Sequence, residues 1–133
     1  MENPYICIDT IKGRIRLNRQ CYDELQQPNF IKILVNPAKA QLGIQRADTM
    51  EPEASRLRKE YLKHGHADIY CPSLVRDLVS EYHFDEGASY RTRALACLDH
   101  DMLIFSLNSM IAITSEEKLN EQEETNDIQT ACG

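Results

Sequence analysis

The sequence contains no tryptophan, only five glycines and no CxxC pair. Without a glycine-rich loop it lacks the phosphate cradle that nucleotide-dependent enzymes use. Its five cysteines stand at wide, irregular spacings, which argues against a zinc knuckle and a thioredoxin-type motif. No apolar run approaches the roughly 18 residues of a membrane span, and residues 1–5 do not begin a secretory signal. We therefore expect a cytoplasmic, non-catalytic protein with reduced thiols and no cofactor or metal.

Charge is unevenly distributed along the chain, whose formal net charge is −6. Residues 116–133 carry six acidic groups and one basic group. They contain few large apolar residues, which predicts a flexible acidic tail. Alternatively, the tail covers basic residues of the same chain or contacts a basic partner. Residues 1–115 are nearly neutral and predict a single domain.

Hydrophobic periodicity divides this domain into two units of similar order. Unit one, 5–47, contains alternating strands, a short helix capped by Asn18 and a hairpin. Unit two, 67–113, contains a strand, a helix opened by Pro72 and a second hairpin. Between them, the pattern at 52–64 predicts a connecting helix with apolar residues on one face.

These elements predict an α+β fold. Two pseudo-repeated strand–helix–hairpin units cover each other's apolar faces and form one small barrel-like domain. The repeat makes Ile15 and Ile69 equivalent core positions.

Two segments carry a family resemblance. Gly13-Arg14-Ile15-Arg16-Leu17-Asn18 resembles the GRxxIP opening of AbrB-type swapped-hairpin (SpoVT/AbrB-like) domains, with asparagine in place of proline. Ile69-Tyr70-Cys71-Pro72-Ser73-Leu74-Val75-Arg76 resembles the xxIPxxxR part of the same motif, and Glu86-Gly87 its acidic-glycine step. In that family two units interlock into a compact barrel, usually as a dimer. A tandem copy implies a single-chain pseudo-dimer, either monomeric or paired as a homodimer.

The resemblance also implies a function. Many members bind DNA through basic residues on exposed strands and loops, and others pair with a toxin. We therefore expect a bacterial DNA-binding regulator that contacts double-stranded DNA. The alternative is a protein-binding module, antitoxin-like or an inhibitory protein from a mobile element, that engages a basic partner through its acidic half. Position by position the resemblance points to Arg14, Arg16, Arg19 and Arg76, and charge alone adds Arg91 and Arg93.

Strand geometry sharpens this expectation. Side chains alternate along a strand, so Arg14 and Arg16 share one face while Ile15 and Leu17 point inward. Together with the arginines of the second hairpin they form a basic strip if their charges stay unpaired. Alternatively, each arginine pairs with a nearby carboxylate, and the candidates are Asp23, Glu24, Asp77 and Glu86.

Histidines and cysteines offer two further hypotheses. His64, His66 and Cys71 have spacings that can converge on a metal ion, but a helix end with exposed histidines explains the first two more simply. A cysteine–histidine nucleophile pair can be drawn from Cys71 or Cys97, but buried structural thiols are the favoured interpretation.

A last hypothesis concerns the 52–64 segment. Arg56, Lys59 and Lys63 fall on one side of the predicted helix and can follow a phosphate backbone. The favoured interpretation is a solvated helix face, interrupted by Glu60.

Overall fold

The computed structural model describes residues 3–47 and 52–113. These residues form nine β-strands and two α-helices. Two short 3-10 helices, Leu62–His64 and Leu107–Ser109, complete the list. In chain order the main elements are β1 Tyr5–Asp9, β2 Arg14–Asn18, α1 Arg19–Glu24, β3 Phe30–Asn36, β4 Gln41–Ala47, β5 Ser55–Arg56, β6 His66–Tyr70, α2 Pro72–Tyr82, β7 Ser89–Leu98, β8 Met102–Ser106 and β9 Ile111–Ile113.

The strands form one antiparallel sheet that curls into a nearly closed barrel. Along the sheet their order is β5, β3, β4, β8, β7, β1, β2, β6, and β9 pairs with β7. Just beyond β5, Arg58 pairs with Asp68 of β6 through two backbone hydrogen bonds of 2.7 and 2.9 Å. This bridge joins the two ends of the sheet.

The α+β prediction is therefore wrong, because the chain is mostly strand and contains only two α-helices among the described residues. The connecting helix predicted over 52–64 is replaced by β5, extended backbone and a 3-10 turn. Leu57 is buried as predicted, but its neighbours pair with Phe30 of β3 and with Asp68. These pairings satisfy the backbone and override the helical periodicity. The predicted acidic tail lies outside the described residues.

The barrel interior holds a continuous apolar core. Ile15 and Ile69 lie opposite each other in the β2–β6 pairing and are both fully buried. Asn18 caps α1 as predicted, and its side-chain oxygen accepts a hydrogen bond of 3.1 Å from the amide of Cys21. Through that cap α1 seals one side of the core with Tyr22 and Leu25.

The strand pairings repeat between the two halves of the chain. The order of the strands around the barrel stays the same, read in the opposite direction, when the strands of the two halves are exchanged: β1 with β5, β2 with β6, β3 with β7 and β4 with β8. The registers follow the same exchange. Asp9 opposite Arg14 in the first half corresponds to Arg58 opposite Asp68 in the second.

A second register extends this relation to β3 and β7. The exchange that makes Asp9 equivalent to Arg58 also makes Cys7 equivalent to Arg56. Cys7 lies opposite Arg91 of β7, and Arg56 lies opposite Phe30 of β3. Since β3 and β7 are exchanged as well, the two pairings coincide. The domain has a pseudo-twofold axis that passes between Ile15 and Ile69, and each repeat contains two strands, a helix and a hairpin.

Truncating a residue on this axis tests its role in the core. Because Ile69 is fully buried, Ile69→Ala removes packed methyl groups and leaves a cavity, so we expect it to lower the free energy of unfolding by about 2–5 kcal/mol. Denaturant titration measures the change. Ile111→Ala is the control, because Ile111 is 68% exposed and a surface truncation shifts stability by no more than about 0.5 kcal/mol. An equal loss in both variants would place Ile69 outside the core.

Candidate functional site

The outer face of β2 and β6 carries a buried ion network rather than an open basic strip. Asp68 accepts from Arg16, with Nε to Oδ1 at 2.9 Å and Nη2 to Oδ2 at 3.2 Å. Arg14 binds Asp9 through its Nε at 3.0 Å and reaches Asp68 through Nη1 at 3.5 Å. Only 2% of Arg16 and 4% of Asp68 is exposed.

Two neighbours complete the network. His66 lies on the same face of β6, with its Nδ1 3.6 Å from Asp68 Oδ1. Tyr61, from the connection before β6, lies over Arg16 with 5.3 Å between the guanidinium carbon and the ring centroid. Burial by itself raises the pKa of Asp68, but the contacts with His66 and Arg16 outweigh it and hold the pKa below its usual value.

Three of the six predicted arginines, Arg14, Arg16 and Arg19, bind carboxylates. Arg14 and Arg16 share one face, as strand alternation predicts, but carboxylates occupy their donors. The partners are Asp9 and Asp68, neither of which is among the carboxylates named from the sequence. Arg19 is half-exposed and binds Asp23 at 3.2 Å.

The remaining three candidates lie on two elements, β7 and α2. Arg91 is partly buried over the ring of Tyr5, with 4.8 Å between guanidinium carbon and centroid. Arg93 is exposed on β7, and Arg76 is exposed on α2. Of the six candidates, Arg14, Arg16, Arg91 and Arg93 therefore lie on the two strands that flank β1, and Arg19 and Arg76 lie on the helices.

A different group of basic residues lies around the segment before β6, with Arg19, Arg56 and Arg58 exposed and Lys59 partly exposed. Arg56 pairs with β3 and Arg58 pairs with β6, and the backbone between them is extended. Both arginine side chains therefore point outward, while Leu57 points into the core. Lys59 comes next, and its ammonium lies 5.8 Å from the ring centroid of Tyr22, over which Arg19 also lies. We call these four residues the basic strip: Arg19, Arg56, Arg58 and Lys59.

Aromatic rings hold the two arginines of β5 and its extension. The guanidinium carbon of Arg56 lies 5.1 Å from the ring centroid of Phe30, and that of Arg58 lies 5.4 Å from that of Tyr70. Within the described residues neither guanidinium pairs with a carboxylate. A cation over a ring is stabilised without using its N–H donors, which stay available to a ligand.

A cavity of about 500 Å³ opens beside this strip, above the ion network. Arg14 and Asp68 form part of its floor, and Lys12, Arg58 and Tyr70 part of its rim. A second cavity of about 360 Å³ shares Lys12 and Tyr70 and continues towards Arg76 on α2. The lining of the two cavities thus combines basic and aromatic residues with the carboxylates of Glu60 and Glu86.

The predictions about histidines and cysteines can also be compared with the structure. Within the described residues His64, His66 and Cys71 do not converge on one point. Cys21 and Cys71 are free and at least half-buried, but Cys97 is exposed, contrary to the prediction. Cys7 is disulfide-bonded, so the expectation of reduced thiols is wrong there.

Sequence reasoning missed a cluster that includes Cys97. Glu24, Cys97 and His100 each offer a ligand atom, and these atoms lie within 4.8 Å of one another. The available signal was a cysteine and a histidine three positions apart across the turn from β7 to β8. Partial burial and the neighbouring Glu24 raise the pKa of Cys97. That is the opposite of what an activated nucleophile needs.

Neutralising the centre of the ion network tests its contribution to stability. Asp68→Asn leaves the guanidinium of Arg16 buried and uncompensated, so we expect a loss of about 3–5 kcal/mol in the free energy of unfolding. The lowered pKa adds a pH dependence. The contribution of Asp68 is complete above the unfolded pKa of 3.8 and is lost as the pH falls through its lower folded pKa.

Denaturant titrations between pH 3 and pH 7 measure both effects, with Asp77→Asn on the exposed side of α2 as control. The wild-type chain should lose stability towards the acid end of this range more steeply than Asp68→Asn. Parallel pH profiles would show that Asp68 does not stabilise the barrel through its charge.

The described residues contain no helix long and apolar enough to cross a membrane. No protein-family model, curated protein or solved structure matches this chain.

Proposed function

We propose that the chain is a non-catalytic, cytoplasmic regulatory protein that binds double-stranded DNA through the basic strip. One observation carries the proposal. Arg56 and Arg58 are exposed cations held by aromatic rings, with no carboxylate partner among the described residues. The strand arginines Arg14 and Arg16 instead donate hydrogen bonds to Asp9 and Asp68.

The chemistry of the strip suits phosphate. A guanidinium presents donors in a planar fork that matches two phosphate oxygens, and a ring beneath it fixes the plane in advance. Because Arg56 and Arg58 stand two residues apart on extended backbone, they point to the same side and lie roughly 7 Å from each other.

Net charge does not oppose this function. The chain is acidic as a whole, with a net charge of −6, but local potential steers an approaching polyanion more strongly than the total does. Within the strip, Asp23 binds Arg19; Glu53 and Glu60 flank the other three cations in sequence, but neither is paired with Arg56 or Arg58. The surface is locally positive.

The pseudo-twofold axis supports the proposed kinship with AbrB-type swapped-hairpin domains, in which two units interlock. In a tandem chain the two units need not keep the same contact residues. Here the basic strip belongs mainly to the start of the second repeat, and Asp9 stands where the second repeat has Arg58.

A salt-dependent gel shift with random duplex DNA tests the proposal. We expect wild-type binding to weaken steeply as salt rises, because each neutralised phosphate releases counterions. Arg56→Glu/Arg58→Glu should abolish binding or, where residual binding is measurable, reduce the slope of log K against log salt by about 2. Circular dichroism checks that the variant folds.

The matched control is Arg76→Glu/Arg93→Glu, which changes the net charge equally at exposed positions outside the strip. It should keep most of the affinity and the salt slope. Equal losses in the two double variants would mean that total charge, not the strip, governs binding. Absence of a shift by the wild-type chain at low salt would refute the DNA-binding function.

A second candidate function, binding of a protein partner, is favoured by the outer side of the two hairpins. Leu34 is 43% exposed on β3, and Leu95 and Leu98 are 59% and 47% exposed on β7. Such apolar surface is typical of contact sites. If duplex DNA is not bound, this surface becomes the leading interface.

A further inference from the structure

Two segments that are distant in sequence bring metal-binding side chains together at one corner of the barrel. Glu24 is the last residue of α1, Cys97 is next to last in β7, and His100 lies in the turn before β8. Their ligand atoms lie within 4.8 Å of one another, the one such group of three among the described residues. The cluster is separate from the basic strip and uses none of its residues.

The turn from β7 to β8 positions the histidine. Asp99 and His100 both have positive φ, 53° and 57°, and the amide of Asp101 donates to the carbonyl of Leu98 at 2.8 Å. This is the pattern of a type I′ hairpin turn. In a histidine such a φ is uncommon, and here it holds the ring against the end of α1.

Contacts with Glu24 then fix the imidazole. Its Nδ1 lies 3.1 Å from the carbonyl oxygen of Glu24 and 3.4 Å from Oε1 of the same residue. A backbone carbonyl that accepts from one ring nitrogen selects the tautomer and leaves the other nitrogen with a lone pair, as second-shell partners do around metal-bound histidines.

The donor set identifies the class of ion. One sulfur, one imidazole nitrogen and one carboxylate oxygen suit zinc and similar borderline-soft cations better than magnesium or calcium, which prefer oxygen alone. Ligand atoms around tetrahedral zinc stand about 3.3–3.8 Å apart. Small rotations of the Glu24 side chain, which is 40% exposed, close that gap.

From this juxtaposition we infer that Glu24, Cys97 and His100 form a binding site for one zinc-class divalent cation. Three protein ligands leave a fourth position for water or for a group from a bound molecule. The ion would link the end of α1 to the β7–β8 turn, and these two elements are far apart in sequence. This inference departs from the absence of a metal expected from the sequence, because the mixed donor set weighed there was local, whereas Glu24 lies far from Cys97 and His100 in sequence.

Zinc titration of the full chain against a chromogenic chelator, under nitrogen, tests the site. We expect one equivalent to bind, and Glu24→Gln, Cys97→Ser and His100→Ala each to weaken binding by at least about tenfold. Cobalt substitution gives an independent signature. The thiolate-to-cobalt charge-transfer band should be present in the wild-type chain and absent in Cys97→Ser.

Cys71→Ser and His83→Asn are matched controls, since they alter a free cysteine and an exposed histidine outside the cluster. Both should bind zinc like the wild-type chain, and circular dichroism checks that all variants fold. Failure of the wild-type chain to bind either ion overturns the inference. So does a cobalt–thiolate band that survives Cys97→Ser. Rapid alkylation of Cys97 that depends on His100, without metal binding, would instead identify a nucleophile pair.

Discussion

The barrel depends on one buried carboxylate. Asp68 pairs through its backbone with Arg58, which closes the sheet, and through its side chain with Arg16 and Arg14. Taking these charges out of water costs several kcal/mol for each ion, so the network is stable only because its members satisfy one another. Asp68 therefore helps to close the barrel through its backbone, and it compensates the β2 arginines through its side chain. The surface left for binding lies beside this network.

Much of the local structure could be predicted from the sequence. Alternation placed Arg14 and Arg16 on one face of β2, and the capping preference of asparagine placed the start of α1 after Asn18. The helix predicted for the segment before β6 was wrong for an identifiable reason. Its apolar spacing fits a helix, but Leu57 is equally well buried from an extended strand that pairs with β3 and β6. Only tertiary pairing distinguishes the two, and periodicity carries no information about pairing.

The candidate site was harder to predict than the fold. Strand alternation says which residues share a face but not what covers it, so Arg16 was expected to be exposed although only 2% of it is. Its partner Asp68 lies far away in sequence, and no local pattern links them. The repeat itself held the missing signal. Ile15 and Ile69 were predicted to be equivalent, and pairing them in antiparallel register brings Asp68 opposite Arg16.

The pseudo-twofold axis has a consequence for how the two repeats can exist. Arg14 and Asp68 occupy equivalent positions on either side of the axis and attract each other there. In a symmetric dimer of the first repeat, two Arg14 side chains would face each other, and in a dimer of the second, two Asp68 carboxylates would. Both arrangements bury like charges, which repel strongly at low dielectric. Arg14 and Asp68 therefore make the two halves complementary in charge at the axis.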